Sequence, residues 1–184
     1  MILPIRAYGD AVLRKQCEEI DEHYPELNTL IENMYETMDA SHGVGLAAPQ
    51  IGLDIRLFVI DSSHMYEDKS LGKRMAFINA QMLDEYDQEW PYEEGCLSIP
   101  HIREDVKRNK TIRLKYQDAD FKWHEEEFDG MTARVIQHEY DHIEGVLFID
   151  HLTPLKRRLL KGKLTDISKG KVAVDYRMKF PRKK

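Results

Sequence analysis

The stretch Gln137-His138-Glu139-Tyr140-Asp141-His142 constrains the fold of this chain more than any other. At about 100° per residue, a helix here projects His138 and His142 from one face, a single turn apart, with Glu139 beside them. Two imidazoles that can share one ion, with a carboxylate close enough to handle a proton, are the minimum for metal-assisted hydrolysis of an amide. A helix with that task belongs inside the molecule, so the rest of the chain has to supply its cover.

The third ligand decides the chemistry. In extended zinc-protease patterns a Gly and then a third His follow the helix. Gly145 fits that pattern, but Phe148 stands at the third-His position. Asp150 and His151 are near in sequence, yet a helix ending at Gly145 makes their return to the same face doubtful. The stronger candidate lies upstream, in Glu93-Glu94-Gly95-Cys96-Leu97-Ser98-Ile99-Pro100, where Cys96 follows a glycine within strong turn punctuation. The other cysteine, Cys17, sits in a charged run and reads as a helix or loop thiol with no role. Two cysteines give no disulfide framework, and the opening Met-Ile-Leu-Pro lacks the charged and apolar regions of a secretion signal. A cytoplasmic location is expected.

A third segment, Gly43-Val44-Gly45-Leu46-Ala47-Ala48-Pro49-Gln50, frees the backbone to approach a ligand closely. It lacks the Gly-Lys-Ser/Thr ending of a phosphate loop. Taken together, Gly43 to Gln50, Glu94 to Ser98 and Gln137 to Gly145 resemble the three signature motifs of the peptide deformylases, in order and at similar separations. The opening Pro4 to Asp10 with Val12-Leu13-Arg14 is also similar, so the resemblance covers roughly residues 4 to 155. Ile143 stands where the family often has Leu, and Ala11 where it often has Pro. The polar stretch from Ser62 to Arg74 resembles an enlarged surface loop, expected to stay clear of the chemistry.

The resemblance implies that Cys96, His138 and His142 bind one divalent ion, with the fourth tetrahedral position left for water. It assigns Glu139 as general base and then acid, and Gln50 and the Leu97 backbone N–H as stabilisers of the charge on a formyl oxygen. The substrates implied are N-formylmethionyl peptides, that is, nascent chains, and the products are formate and a free amino-terminal methionine. Val44, Met131 and Val135 are expected to line the methionine pocket. The segments around Val44 to Leu46 and Glu93, Glu94 and Gly95 would bind peptide backbone in the manner of an added strand. Arg103 is placed nearer the substrate, and Arg108 as a structural partner for Asp141, with Arg134 the other guanidinium nearby. One thiolate and two imidazoles suit Fe2+, Zn2+, Ni2+ or Co2+; the resemblance favours Fe2+ as the physiological ion.

Spacing also sketches the fold. Leu27, Leu30, Ile31, Met34 and Met38 recur at helical intervals and predict an amphipathic helix over about 25 to 40. Ile55 to Ile60 and Met75 to Ile78 read as buried strands. Ile112, Leu114 and Tyr116 alternate before Asp118-Ala119-Asp120, and Phe121 and Trp123 after it, which suggests a hairpin. The His-bearing helix should span about 131 to 143. The class expected is α+β, a single domain over residues 1–184 with strands packed around a central catalytic helix.

Charge is uneven. Residues 151–184 hold twelve Lys or Arg against Asp166 and Asp175 only, while the whole chain carries −6. That segment predicts a helix from about Pro154 to Lys163, a strand through Val172, Val174, Tyr176, Met178 and Phe180, and a frayed Arg182-Lys183-Lys184 tail. Lys156, Arg157, Arg158, Lys161 and Lys163 suggest contact with ribosomal RNA, or simply a solvated basic face. No apolar run is long enough for a bilayer, and neither membrane nor DNA is expected as a partner. Two rivals remain open: a zinc endopeptidase built on the same helix, and a non-enzymatic RNA-associated protein whose Cys96, His138 and His142 hold a structural ion.

Overall fold

The computed structural model describes residues 1–181, so the expected Arg182 to Lys184 tail lies outside the described residues. Short strand β1 (Ile5–Arg6) leads to helix α1 (Leu27–Ala40), which buries Leu27, Ile31, Met34 and Met38 on one face, as the spacing predicts. Strands β2 (Gly45–Ala47), β3 (Leu57–Asp61), β4 (Arg74–Cys96), β5 (Ile99–Gln117) and β6 (Trp123–Asp129) follow, then helix α2 (Gly130–Ile143), helix α3 (Pro154–Ser168) and strand β7 (Met178–Lys179). Strands β2 to β6 form one antiparallel sheet in chain order, with β2 at an edge, and β1 pairs β7 in parallel. The architecture is α+β.

The sheet and α2 enclose one core. Phe58 and Phe77 stack at 4.8 Å, and with Ile112, Leu114, Tyr116 and Phe128 they pack against Ala133, Val135 and Ile136 of α2. Burying each of the larger aliphatic and Phe side chains stabilises the fold by roughly 1.5–3 kcal/mol. A second core lies between α1 and the β2–β3 face, with Met34, Met38, Leu46, Leu57 and Val59. A third gathers Leu160, Leu164 and Ile167 of α3 with Ile99, Ile102, Val106 and Phe148. The basic carboxyl-terminal segment is thus packed into the molecule through one apolar stripe.

Four expectations need correction. The strands seeded at Met75 and Ile112 are parts of a ribbon of 23 and 19 residues, β4 and β5. In β4 the stretch from Leu83 to Glu93 is mostly exposed and rich in charge, so it carries no apolar alternation to read, while in β5 the buried places alternate but one of them is taken by Arg108. Phe121 is not in the hairpin strand: it lies in the turn with φ +58° and packs with the α1 core, and β6 starts at Trp123. Between Val172 and Phe180 the expected alternation of half-buried and exposed positions is present, but only Met178 and Lys179 find a strand partner. Helix α3 runs on past Lys163 to Ser168, because Leu164 and Ile167 continue its buried stripe.

Candidate active site

Three elements bring the motif residues together. Cys96 ends β4 and pairs with Ile99, so Leu97 and Ser98 form a two-residue connection to β5. One step earlier Gly95 pairs with Arg103, so Pro100, His101 and Ile102 bulge out of β5. Bulges of this kind re-aim a neighbouring side chain, and here the Cys96 thiol is delivered to α2. Helix α2 is buried along most of its length, and Gly145, with φ +74°, closes it by donating its N–H to the His142 carbonyl at 3.2 Å.

The Cys96 Sγ lies 3.3 Å from His142 Nε2. His138 gives its Nδ1–H to Glu94 at 2.9 Å, which fixes the tautomer and leaves Nε2 for a ligand. The donor atoms of Cys96, His138 and His142 all lie within 4.8 Å of one another. Burial disfavours a Cys96 thiolate, but His142 and His138 outweigh it and push the thiol down to about 5. A thiolate at neutral pH with two imidazoles is a donor set that fits a divalent transition-metal ion.

Glu139 is 4% exposed, and its Oε2 has no hydrogen-bond partner among the described residues. Burial pushes its carboxyl up to about 7, against the pull of His138 and His142. Gly45 leaves the space for it: a Cβ there would stand 2.4 Å from Glu139 Oε1. Gln50 accepts the Ala47 N–H at 2.9 Å through Oε1, so its amide NH2 turns the other way, to Cys96 Sγ and Ser98 Oγ, each at 3.4 Å.

Behind the ligands is an ion network that sequence reading only touched. Glu94 accepts from Arg108 Nε at 2.7 Å, Arg134 Nη1 at 2.9 Å and His138. Its own burial resists ionisation, yet His138 and Arg108 hold the carboxyl well below the usual carboxylate range. Asp141 takes Arg108 Nη1 at 2.8 Å and His151 at 2.7 Å. His151 therefore does return to α2, but to Asp141 and not to the ligand cluster. Arg134 leaves Asp141 to Arg108, lies over the Trp90 ring at 4.5 Å and donates to Glu94 and to the carbonyls of Val106 and Trp90. Phe148, at the third-His position of the protease pattern, stacks beside His138 with ring centroids 6.1 Å apart.

The cluster opens into a cavity of about 890 Å³, ample for a side chain and several residues of peptide. Val44, Gly45, Gln50, Glu94, Gly95, Cys96, Leu97, Arg103, Val135, His138 and Glu139 all border it. Arg103 is half-exposed there and donates to Glu93 at 2.8 Å. The Glu94 carboxylate, though it borders the cavity, is committed to its three partners. Met131 is not in the lining; Met65 is. Position on α2 alone does not tell which way Met131 faces, and Met65 comes from the Ser62 to Arg74 stretch expected to stay clear of the chemistry. Tyr92 and Ala173 to Tyr176 also line it. Tyr92 comes from β4, and Ala173 to Tyr176 are carried there by the segment that leads into β7.

Comparison with known proteins agrees with this geometry. The family model described as polypeptide deformylase matches residues 2–158. A peptide deformylase of Cytophaga hutchinsonii is 58% identical over 184 residues, all of both chains. One from Christiangramia forsetii is 52% identical over all of this chain and 98% of its own. The crystal structure of a peptide deformylase from Thermotoga maritima superimposes with a TM-score of 0.76 at 42% identity, covering 84% of this chain and 99% of that one. With the fold, the motif order and full-length relatives in agreement, the chain belongs to the polypeptide deformylase family of metal-dependent hydrolases.

Proposed function

We propose that the residues around this cavity remove the N-formyl group from the initiator methionine of new polypeptides in the following way. Cys96, His138 and His142 hold the ion, and the Glu94 contact keeps His138 in the ligating tautomer. When bound, the ion supplies Lewis acidity, which polarises the formyl carbonyl and acidifies water. Glu139 Oε2 takes a proton from the attacking water as its oxygen adds to the formyl carbon. Gln50 Nε2 and the Leu97 N–H hold the negative charge that develops on the formyl oxygen. As the C–N bond breaks, Glu139 returns the proton to the departing amine, and formate and a methionyl peptide result.

The observation that carries this reading is the unpartnered Oε2 of buried Glu139 beside three convergent donors. Such an atom is costly to leave unpaired unless a reactant or water meets it. Val44, Met65 and Val135 supply apolar lining for the methionine side chain, and backbone at Gly45 and Glu94 to Gly95 holds the peptide. With side chains beyond the first left unread, broad tolerance after methionine follows.

We assign Fe2+ as the physiological ion, since the donor set accepts it and the family resemblance favours it; Zn2+, Ni2+ and Co2+ fit the same donors. Metal analysis of protein purified without oxygen tests this, and a wholly zinc-filled site would overturn it. The site of action is the cytoplasm, where nascent chains emerge. Among the described residues no helix is long and apolar enough to cross a membrane. We read residues 1–184 as a single domain, supported by the burial of Leu160, Leu164 and Ile167 against β5 residues; one cooperative unfolding transition is expected, and two would refute it. The exposed Arg157, Arg158, Lys161 and Lys163 of α3 offer a ribosome contact, whereas Lys156 is engaged with Glu104 at 2.7 Å.

Formate release from formyl-Met-Ala-Ser by protein purified without oxygen, alongside Glu139→Ala, tests the whole reading. A loss of about 10²–10⁴-fold in the variant is expected for a general base. An equally active variant would dismiss Glu139 from the chemistry. Internal peptide cleavage without formate release would restore the endopeptidase.

A further inference from the structure

The turn that carries Cys96 and Leu97 is gripped by both ends of the chain. From the amino end, Tyr8 N–H donates to the Ser98 carbonyl at 2.8 Å, immediately after β1. From the carboxyl end, Tyr176 Oη donates to the Leu97 carbonyl at 2.8 Å, immediately before β7. The two ends are joined to each other: Ile5 N–H reaches the Arg177 carbonyl at 2.8 Å, Ala7 N–H reaches the Lys179 carbonyl at 3.0 Å, and β1 pairs β7 between them. His101, in the bulge of β5, fastens the same segment by donating Nε2–H to the Ala173 carbonyl at 2.6 Å. A two-residue connection between long strands is thereby tied at successive carbonyls by donors from opposite ends of the sequence.

We infer that Tyr176 is a positioning residue for the deformylation step. The inference rests on the reading of the Leu97 N–H as a donor to the formyl oxygen. Tyr176 does not have to touch substrate for this. Its hydroxyl fixes the Leu97–Ser98 peptide plane, and Tyr8 fixes the next one. With both planes set, the remaining rotation that aims the Leu97 N–H is confined to the Cys96–Leu97 peptide, whose other end is anchored by β4. A donor aimed in advance at the place where charge develops is worth more than one that must be turned during the reaction. Small errors of aim are costly there, since a misplacement of about 1 Å can lower rates by about 10²-fold. Tyr176 is half-buried and packs with Leu97 against the core beneath α1, so its ring is held independently of its hydroxyl. Removing the hydroxyl alone should therefore leave the wall standing and slacken the turn.

The variant to make is Tyr176→Phe. The expected result is a fall in kcat of about three- to tenfold, the worth of one neutral hydrogen bond, with KM for formyl-Met-Ala-Ser and metal content unchanged. In zinc-loaded protein the Ser98 amide resonance, which belongs to the peptide whose carbonyl Tyr176 holds, should shift in the 1H–15N spectrum. An unchanged kcat, or a loss confined to KM, would overturn the inference and leave Tyr176 as wall only. If the wild type itself released no formate, the reading of the site would fail first. The Ser98 resonance would then judge the clamp alone, and an unmoved resonance would overturn it too.

Discussion

At Gly45 a single absent methyl group decides whether the buried carboxylate has room. A Cβ would press on Glu139 Oε1, Cδ and Cγ together, all within 2.7 Å, and buried Glu139 has little space to retreat. Gly45→Ala should retain the fold and the ion yet lose formate release by about 10²-fold, the scale of a misplaced catalytic group. Full activity in a correctly folded variant would show that Glu139 tolerates displacement and is not held for its task. At this scale the sequence was most legible. His138, Glu139 and His142 follow from helical spacing, and Cys96 from its turn context. Glu94 was harder, because a carboxylate beside a ligand motif looks like a substrate contact until Arg108, Arg134 and His138 are seen to saturate it.

Among the elements, α2 depends on a neighbour for its first turn. Its N-cap Asp129 makes no side-chain capping bond. The acceptor is instead Tyr66 Oη, which takes the Thr132 N–H at 2.9 Å and meets Thr132 Oγ1 at 3.0 Å, with Ser62 Oγ 2.9 Å from the same hydroxyl. Tyr66→Phe should lower stability by about 1 kcal/mol, the usual worth of a cap, measured as a shift of the urea midpoint at constant slope. An unmoved midpoint would mean that water replaces the phenol at no cost. The stretch that holds Tyr66 also places Met65 in the cavity wall, so what reads as a polar surface loop is tied to the catalytic helix. Helix α1 was legible because one face is apolar at every turn. The outer part of β4 was not, because from Leu83 to Glu93 it is mostly exposed and has no reason to alternate; β5 does alternate, but buried Arg108 stands among its apolar positions and masks the pattern.

On the scale of the whole molecule, charge separates from chemistry: the acidic body holds the site and α3 presents the basic face. Charge reversal at Arg157, Arg158, Lys161 and Lys163 should abolish salt-sensitive co-sedimentation with ribosomes while leaving formate release intact. Sedimentation indifferent to the reversal would reduce the basic face to a solvated surface. The order of β2 to β6 follows the chain, so that much of the topology is local. The β1–β7 pair is different: Ile5 meets Met178, a partnership no local pattern announces. That pairing also sets a timetable. A chain still under synthesis has its amino-terminal strand, its ligand helix and its thiol long before residue 178 exists. Its catalytic turn is held from one side only until residues 176 to 178 have been made, so the groups that do the chemistry exist before the strand that steadies them.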